Sequence, residues 1–236
     1  MKRAAVLLAC ALSLPGLAVA SDPASVAAAH AELRALLGER MHVPVEAGAA
    51  PREVRLRYPL SEQAEVADFE ATGFDKCEVG EVYRGGQVAE RALELGAGSR
   101  RPGRLRHRLT CAGDFELRVR LTVLAAGPSS KLCFLLGDKV GVLWGQRLVR
   151  PRGLRALTRQ GQLDPKAFGN ARVVELRFVR KGEALTVLCD GKQTDQRSFR
   201  KGELDDIQIG LAAQNVRVAL FDWEVTAQVD EAKLSR

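Results

Sequence analysis

The segment that decides the fold is Asp114-Phe-Glu-Leu-Arg-Val-Arg-Leu-Thr-Val123, in which apolar and polar residues alternate almost without interruption. Its apolar residues all fall on one face: Phe115, Leu117, Val119, Leu121 and Val123. Successive side chains of a β-strand point to opposite faces, so a period of two predicts a strand with one buried and one solvated face. The segment therefore indicates a layered β protein.

Similar segments recur along the chain and predict about a dozen strands. They cover residues 53–59, 77–83, 87–95, 103–111, 115–124, 132–136, 140–144, 171–180, 184–189, 193–199, 207–212 and 216–227. Turn residues separate them, among them Gly127-Pro128 and Gln214-Asn215. Because no helix is interleaved, we predict an all-β fold, a sandwich of two antiparallel sheets with a short N-terminal helix.

The first twenty residues are typical of a secretory signal peptide. Lys2 and Arg3 precede an apolar run, and Ala18-Val-Ala20 fits the rule for cleavage after small residues. The run is too short to span a bilayer, so we expect export without a transmembrane anchor, to the periplasm, the cell surface or the medium. A lipoprotein box ending at Cys10 is the minor alternative.

The mature chain divides into three predicted parts. Residues 21–51 form a helix and a linker: Asp22-Pro23 is typical of a helix start, Gly38 of a helix end, and 43–51 is rich in Ala, Gly and Pro. Residues 52–230 form the sandwich domain, and 231–236 a C-terminal tail. The helix is expected either to pack on the sandwich or to pair with an envelope partner.

Charge is distributed unevenly along the chain, whose formal net charge is +7. Basic residues cluster at 100–108 and at 147–159, and acidic residues at 62–81. Such clusters attract polyanions, but predicted export argues against nucleic acid as the partner. We therefore expect glycan, acidic polysaccharide or another anionic envelope polymer, and the alternative is an ordinary solvated surface.

Four cysteines follow the signal segment: Cys77, Cys111, Cys133 and Cys189. An even number in an exported chain permits two disulfides, with three connectivities. The chain has no Cys-x-x-Cys motif, which disfavours a zinc or redox site.

Several motifs together resemble the concanavalin A-like superfamily of jelly-roll lectins and glucanases. They are Tyr58-Pro-Leu-Ser61 before Asp68-Phe-Glu70, then Gly113-Asp-Phe-Glu-Leu117, the hairpin pair between Asn170 and Gly191, and the closing segments Ile209-Gly-Leu211 and Val218-Ala-Leu-Phe-Asp-Trp-Glu-Val225. The resemblance is nearest to laminin G-like modules and to 3-keto-disaccharide hydrolase-type domains. It implies a jelly roll over residues 52–230, and lectins, glucanases and adhesive modules all share that architecture.

Catalytic motifs are weak in this chain. Glucanases of the resembled superfamily carry Glu-x-Asp-x-(x)-Glu on one strand. The closest segment here, 203–208, has Gln208 in the place of the last acid, and glutamine cannot deliver a proton. The segment also precedes a late strand, so we predict that it is a loop and not a catalytic strand. Glu116 and Glu175 are weak catalytic candidates because each lies on the polar side of a predicted strand. The alternative is that they pair with arginines across strands. His107 is assigned to the basic strand at 103–111.

Sugar sites commonly combine an exposed aromatic ring with arginines, amides and carboxylates. Trp223 alternates with apolar neighbours and is predicted to be core. The expected ligand contacts are Trp144, Gln146, Arg147, Arg118 and Arg120. Calcium occurs in the resembled superfamily, but no acidic loop has ligand spacing, so we expect no metal and no cofactor.

These observations predict an exported, non-catalytic binding or adhesion module for glycan or anionic envelope polymer. The alternative, which rests on the resemblance alone, is a glycoside hydrolase-like enzyme that acts on a modified disaccharide. A third hypothesis is a structural envelope component whose N-terminal helix binds a partner.

Overall fold

The computed structural model describes residues 23–84, 87–137, 140–144, 155–156 and 172–230. In this part of the chain one helix, α1 (Pro23–Gly38), precedes thirteen strands. The strands are β1 (Val45–Ala47), β2 (Glu53–Tyr58), β3 (Phe69–Thr72), β4 (Lys76–Arg84), β5 (Gln87–Ala97), β6 (Gly103–Cys111), β7 (Phe115–Leu136), β8 (Val140–Trp144), β9 (Arg155–Ala156), β10 (Val174–Lys181), β11 (Ala184–Cys189), β12 (Lys192–Ser198) and β13 (Ile207–Gln228). A 3-10 helix (Gln63–Asp68) connects β2 to β3.

The fold is an antiparallel two-layer jelly-roll sandwich organised around two long strands. β7 and β13, 22 residues each, pair with one another along nearly their whole length. One half of this ribbon belongs to the front layer, ordered β1-β2-β13-β7-β10-β11-β12. The other half belongs to the back layer, in which β6 and β3 follow β13, and β8 and β9 follow β7. The β4–β5 hairpin joins the middle of β13, and only the β8–β9 pairing is parallel among the described strands.

The two long strands correct two predicted turns. Gly127 lies inside β7, and Gln214-Asn215 lies inside β13, where the register shifts between Gln214 and Val216. Asn215 has a positive φ of 53°, and a Cβ atom on Gly127 would collide with the Asn215 side chain. Glycine and asparagine therefore form a bulge that bends the ribbon from one layer into the other, rather than ending a strand.

The alternating segment at the start of β7 is confirmed as core. Its five apolar residues, Phe115 to Val123, are all buried, although Thr122 on the opposite face is buried too and donates a hydrogen bond to the Arg172 carbonyl oxygen. Trp223 is fully buried, as predicted, and packs edge-on against Phe69. Phe221 faces away from it, because a register shift between Leu220 and Asp222 breaks the alternation.

The N-terminal helix packs on the sandwich. Leu33 and Leu37 of α1 are fully buried in the core cluster. The predicted linker contains β1, which pairs with β2 and buries Val45. No helix in the described residues is both long and apolar enough to cross a membrane.

The four cysteines, whose even number permits two disulfides, are all free in the described chain. They lie on four different strands, and each faces a residue other than cysteine: Cys77 opposite Leu95, Cys111 opposite Ile207, Cys133 opposite Ala212 and Cys189 opposite Leu176. Burial raises the pKa of the Cys111 and Cys133 thiols to about 12. The two thiols are therefore unreactive.

Candidate functional site

The outer face of the front layer carries charged side chains in rows that cross the strands. One row runs from Arg57 on β2 through Glu224 on β13 to Arg118 on β7. The next row runs from Asp222 on β13 through Arg120 on β7 to Glu175 on β10. Side chains directly opposite one another on a sheet face are close enough to interact, so the register itself brings these charges together.

These residues form a depression of about 420 Å³, which we call the charged groove. Its lining residues are Arg57, Tyr58, Pro59, Arg118, Arg120, Asp222, Trp223 and Glu224. A second depression of about 510 Å³ shares Glu224 and continues towards Arg55, Glu116 and Thr226. The polar face of β13 thus runs along the floor of both depressions.

Arg120 is held at one side of the groove by two acids and a ring. Its Nη1 atom donates to Asp222 Oδ2 at 2.5 Å and its Nη2 atom to Glu90 Oε2 at 3.2 Å. Its guanidinium carbon lies 5.7 Å from the centroid of Phe221. The side chain is 34% exposed, so one part of the guanidinium group remains open to the groove.

Arg118 and Glu224 form the centre of the groove. Arg118 Nη2 lies 2.5 Å from Glu175 Oε2, and this hydrogen bond raises the pKa of Arg118. Glu224 is 18% exposed and pairs with Arg55 at 2.7 Å and with Arg57 at 3.4 Å. Hydrogen-bond donors and acceptors therefore alternate over a small area, an arrangement suited to the paired hydroxyls of a sugar ring.

The two weak catalytic candidates each pair with an arginine of the neighbouring strand. Glu116 pairs with Arg177 at 2.5 Å, and Glu175 pairs with Arg118. In the β7–β10 register Glu116 faces Val179, four residues along β10 from Glu175. Both carboxylates are therefore engaged in ion pairs across the β7–β10 pair, the alternative that the sequence left open.

The other predicted site residues have different outcomes. The groove unites Arg118 and Arg120, but Gln146 and Arg147 lie outside the described residues. Trp144 ends β8 in the back layer, opposite Leu132, and its side chain is also outside the described part. The segment 203–208 begins as a turn before β13, with Asp205 bound to Arg180, which confirms the prediction of a loop there.

Sequence reasoning missed three residues of the groove: Arg57, Asp222 and Glu224. Alternation around Trp223 already places Asp222 and Glu224 on the polar face of β13. Alternation does not show which strands are neighbours, because nothing local in the sequence indicates that β2 and β7 flank this part of β13.

A second cluster, the buried polar network, consists of His42, Tyr58, Asp68 and His107. Asp68 is fully buried and accepts hydrogen bonds from the His42 backbone N–H (2.8 Å), from His42 Nδ1 (2.7 Å) and from the Tyr58 hydroxyl (2.9 Å). His107 Nε2 lies 2.9 Å from the same hydroxyl. The network connects the segment after α1 with β2, the 3-10 helix and β6.

Its hydrogen bonds fix the protonation of His107. The Leu109 backbone N–H donates to His107 Nδ1 at 3.0 Å, so that nitrogen carries no proton. Nε2 then carries the proton and donates to Tyr58, whose hydroxyl donates to Asp68. Burial lowers the pKa of His107 to about 4, in agreement with a neutral ring. His107 thus lies on the basic strand, as predicted, but it shares the inner face of β6 with Leu105 and Leu109 and does not lie beside the arginines.

The described residues contain no group of three or more His, Cys, Asp or Glu side chains that could hold a metal ion.

No family model matches the chain, and no curated protein matches it. Solved structures with a similar fold include a Bacillus subtilis protein with a galectin-like fold, at a TM-score of 0.48 and 11% identity, covering 78% of this chain and 98% of that one. Others are the Ca²⁺-bound exoplasmic/lumenal domain of VIP36 (TM-score 0.44, 11% identity, 75% and 90% covered) and the carbohydrate-binding module CBM66 of Bacillus subtilis (0.44, 10%, 65% and 91%). Similarity at this level carries no inference about ligand or activity.

Proposed function

We propose that the protein is an exported, non-catalytic module that binds glycan in the charged groove. The observation that carries this proposal is the groove itself, where three arginines and two carboxylates from three adjacent strands line one depression. Positions on regular strands hold such side chains at fixed spacing, which favours recognition of a defined arrangement of hydroxyls.

The balance of charge favours a ligand rich in hydroxyls. Arg57, Arg118 and Arg120 stand beside Asp222 and Glu224, and two further acids, Glu175 and Glu90, pair with the same arginines. A nearly neutral set of donors and acceptors can replace the water around sugar hydroxyls without a strong preference for anions.

Binding is favoured over hydrolysis because the groove lacks a suitable pair of free carboxylates. Asp222 and Glu224 both pair with arginines, and so do Glu116 and Glu175. The hydrolase alternative needs an acid that can deliver a proton to the leaving group, next to a second carboxylate.

The test is a glycan array followed by calorimetry of the best ligand with groove variants. Arg120→Ala and Asp222→Ala should each weaken binding about tenfold, since each removes a charge-assisted hydrogen bond worth about 1.5 kcal/mol or more. Circular dichroism verifies that the variants fold.

Arg177→Ala is the matched control. Arg177 lies directly opposite Arg118 on the same sheet face, is 46% exposed against 47% for Arg118, and also pairs with a glutamate, but it does not line the groove. The control should bind as the wild type does. Equal loss in control and groove variants, or release of reducing sugar from the bound glycan, would contradict the proposal.

A further inference from the structure

A second charged surface lies on the outer face of β6 in the back layer. Arg104 and Arg108 are exposed on this strand, and Arg100 and Arg101 are exposed in the turn before it. Among the described residues, none of these four arginines has an ion pair or a side-chain hydrogen bond. We call this set the arginine strip.

The strand register explains why Arg104 and Arg108 lack acidic partners. Arg104 faces Thr72 of β3 on one side and Ala212 of β13 on the other. In the next row the acid of β3, Glu70, faces Arg106, and β13 contributes Gly210, which has no side chain. Arg108 lies beyond the start of β3, where Phe69 faces His107. By contrast, the groove arginines Arg118 and Arg120 each face an acid of β13.

We propose that the arginine strip binds an acidic polysaccharide that carries carboxylate groups along its chain. Alternate residues of a strand point to one face about 6.6 Å apart, so Arg104 and Arg108 form a line about 13 Å long that suits an extended chain. The guanidinium group matches a carboxylate with two parallel hydrogen bonds. Guanidinium groups without internal partners also attract a polyanion without first breaking an ion pair.

Acidic polysaccharide suits the strip better than a nucleic acid does. The described side chains of this face, on β3, β6 and the facing half of β13, include no exposed aromatic ring on which a base could stack. The strip is also separate from the charged groove, which lies on the other layer, so the two sites can be tested one at a time.

The test measures binding of the full chain to polygalacturonate, with dextran of similar length as the neutral comparison, at low and high salt. Arg104→Ser/Arg108→Ser should weaken polygalacturonate binding about three- to tenfold, given the modest strength of exposed charge pairs. It should also lower the salt dependence by about one to two counterions. Binding of groove ligands should not change.

The control Arg34→Ser/Arg40→Ser removes the same two positive charges from exposed positions at and just beyond α1 and should bind polygalacturonate as the wild type does. Equal loss in both double variants would overturn the proposal, because binding would then follow net charge alone. Failure of the wild type to bind, or tighter binding to single-stranded DNA than to polygalacturonate at the same salt, would overturn it as well.

Discussion

The buried polar network and the charged groove are both clusters of hydrogen-bonding side chains, but they stand in different surroundings. Asp68, Tyr58 and His107 are at most 2% exposed, and each has its hydrogen bonds completed inside the protein. Groove residues such as Arg120 and Asp222 are 34% and 40% exposed and meet water as well as each other.

The difference in exposure separates stability from recognition. A buried acceptor that loses its donors cannot turn to water, so the network is costly to disturb and holds β2, β6 and the segment after α1 together. The two groups of an exposed ion pair have nearly the same free energy when they are paired and when they are separately solvated. They can therefore exchange each other for a ligand at little cost in free energy. Substitutions in the buried polar network should therefore mainly lower the free energy of unfolding. Substitutions in the charged groove should mainly weaken ligand binding.

The largest expected effect comes from Asp68→Asn. The amide group presents N–H donors where the carboxylate accepts hydrogen bonds from Tyr58 and His42, so at least one buried donor loses its acceptor. Breaking a buried charged network costs about 3 kcal/mol of unfolding free energy, measured by urea denaturation at neutral pH.

Asp222→Asn is the matched control for this substitution, because it makes the same chemical change in the exposed groove. Its expected cost is below about 1 kcal/mol. Similar losses of stability in the two variants would mean that burial does not distinguish the two clusters.

The next effect is a dependence of stability on pH that originates in His107. Its pKa is about 4 in the folded protein and 6.5 in the unfolded chain, so between these values only the unfolded chain takes up the proton. The contribution of His107 to the free energy of unfolding is fully present above pH 6.5. It falls by about 1.4 kcal/mol per pH unit as the pH is lowered. The loss should reach about 2 kcal/mol near pH 5.

His107→Gln isolates this contribution, because the amide can still donate to Tyr58 but does not titrate in this range. We expect the variant to be less stable than the wild type at about pH 7.5 and the difference to shrink towards pH 5. A constant difference across that range would show that His107 is not the group responsible.

Alternation in the sequence located ten of the thirteen described strands, but it missed the short strands β1, β3 and β9 and the places where strands bend or meet. Alternation located β6 with its observed ends and the buried face of β7, because the period of side chains along a strand is a local property. The bulges at Gly127 and Asn215 contain residue types that are also typical of turns. Only the pairing of β7 with β13 distinguishes a bulge from a turn there.

Sites were harder to predict because each depends on strands that are distant in the chain. Arg118 and Arg120 were identified from one polar face, whereas Arg57 joins them only through the register of β2 with β13. His107 was assigned to the correct strand, but not to its inner face. Its alternation with Leu105 and Leu109 is the local pattern that indicates an inward position.

The smallest expected effect is the coupling between Arg120 and Asp222, which tests the exposed side of the comparison. A double-mutant cycle with Arg120→Ala, Asp222→Ala and the double variant should give a coupling free energy of unfolding between about 0.2 and 1 kcal/mol, because both groups are partly solvated. The same cycle measured with bound glycan should give a larger coupling, since both side chains would then contact one ligand. Coupling in unfolding of about 3 kcal/mol would place this pair with the buried network instead, and would remove the reason for treating the groove as a surface whose ion pairs can open towards a ligand.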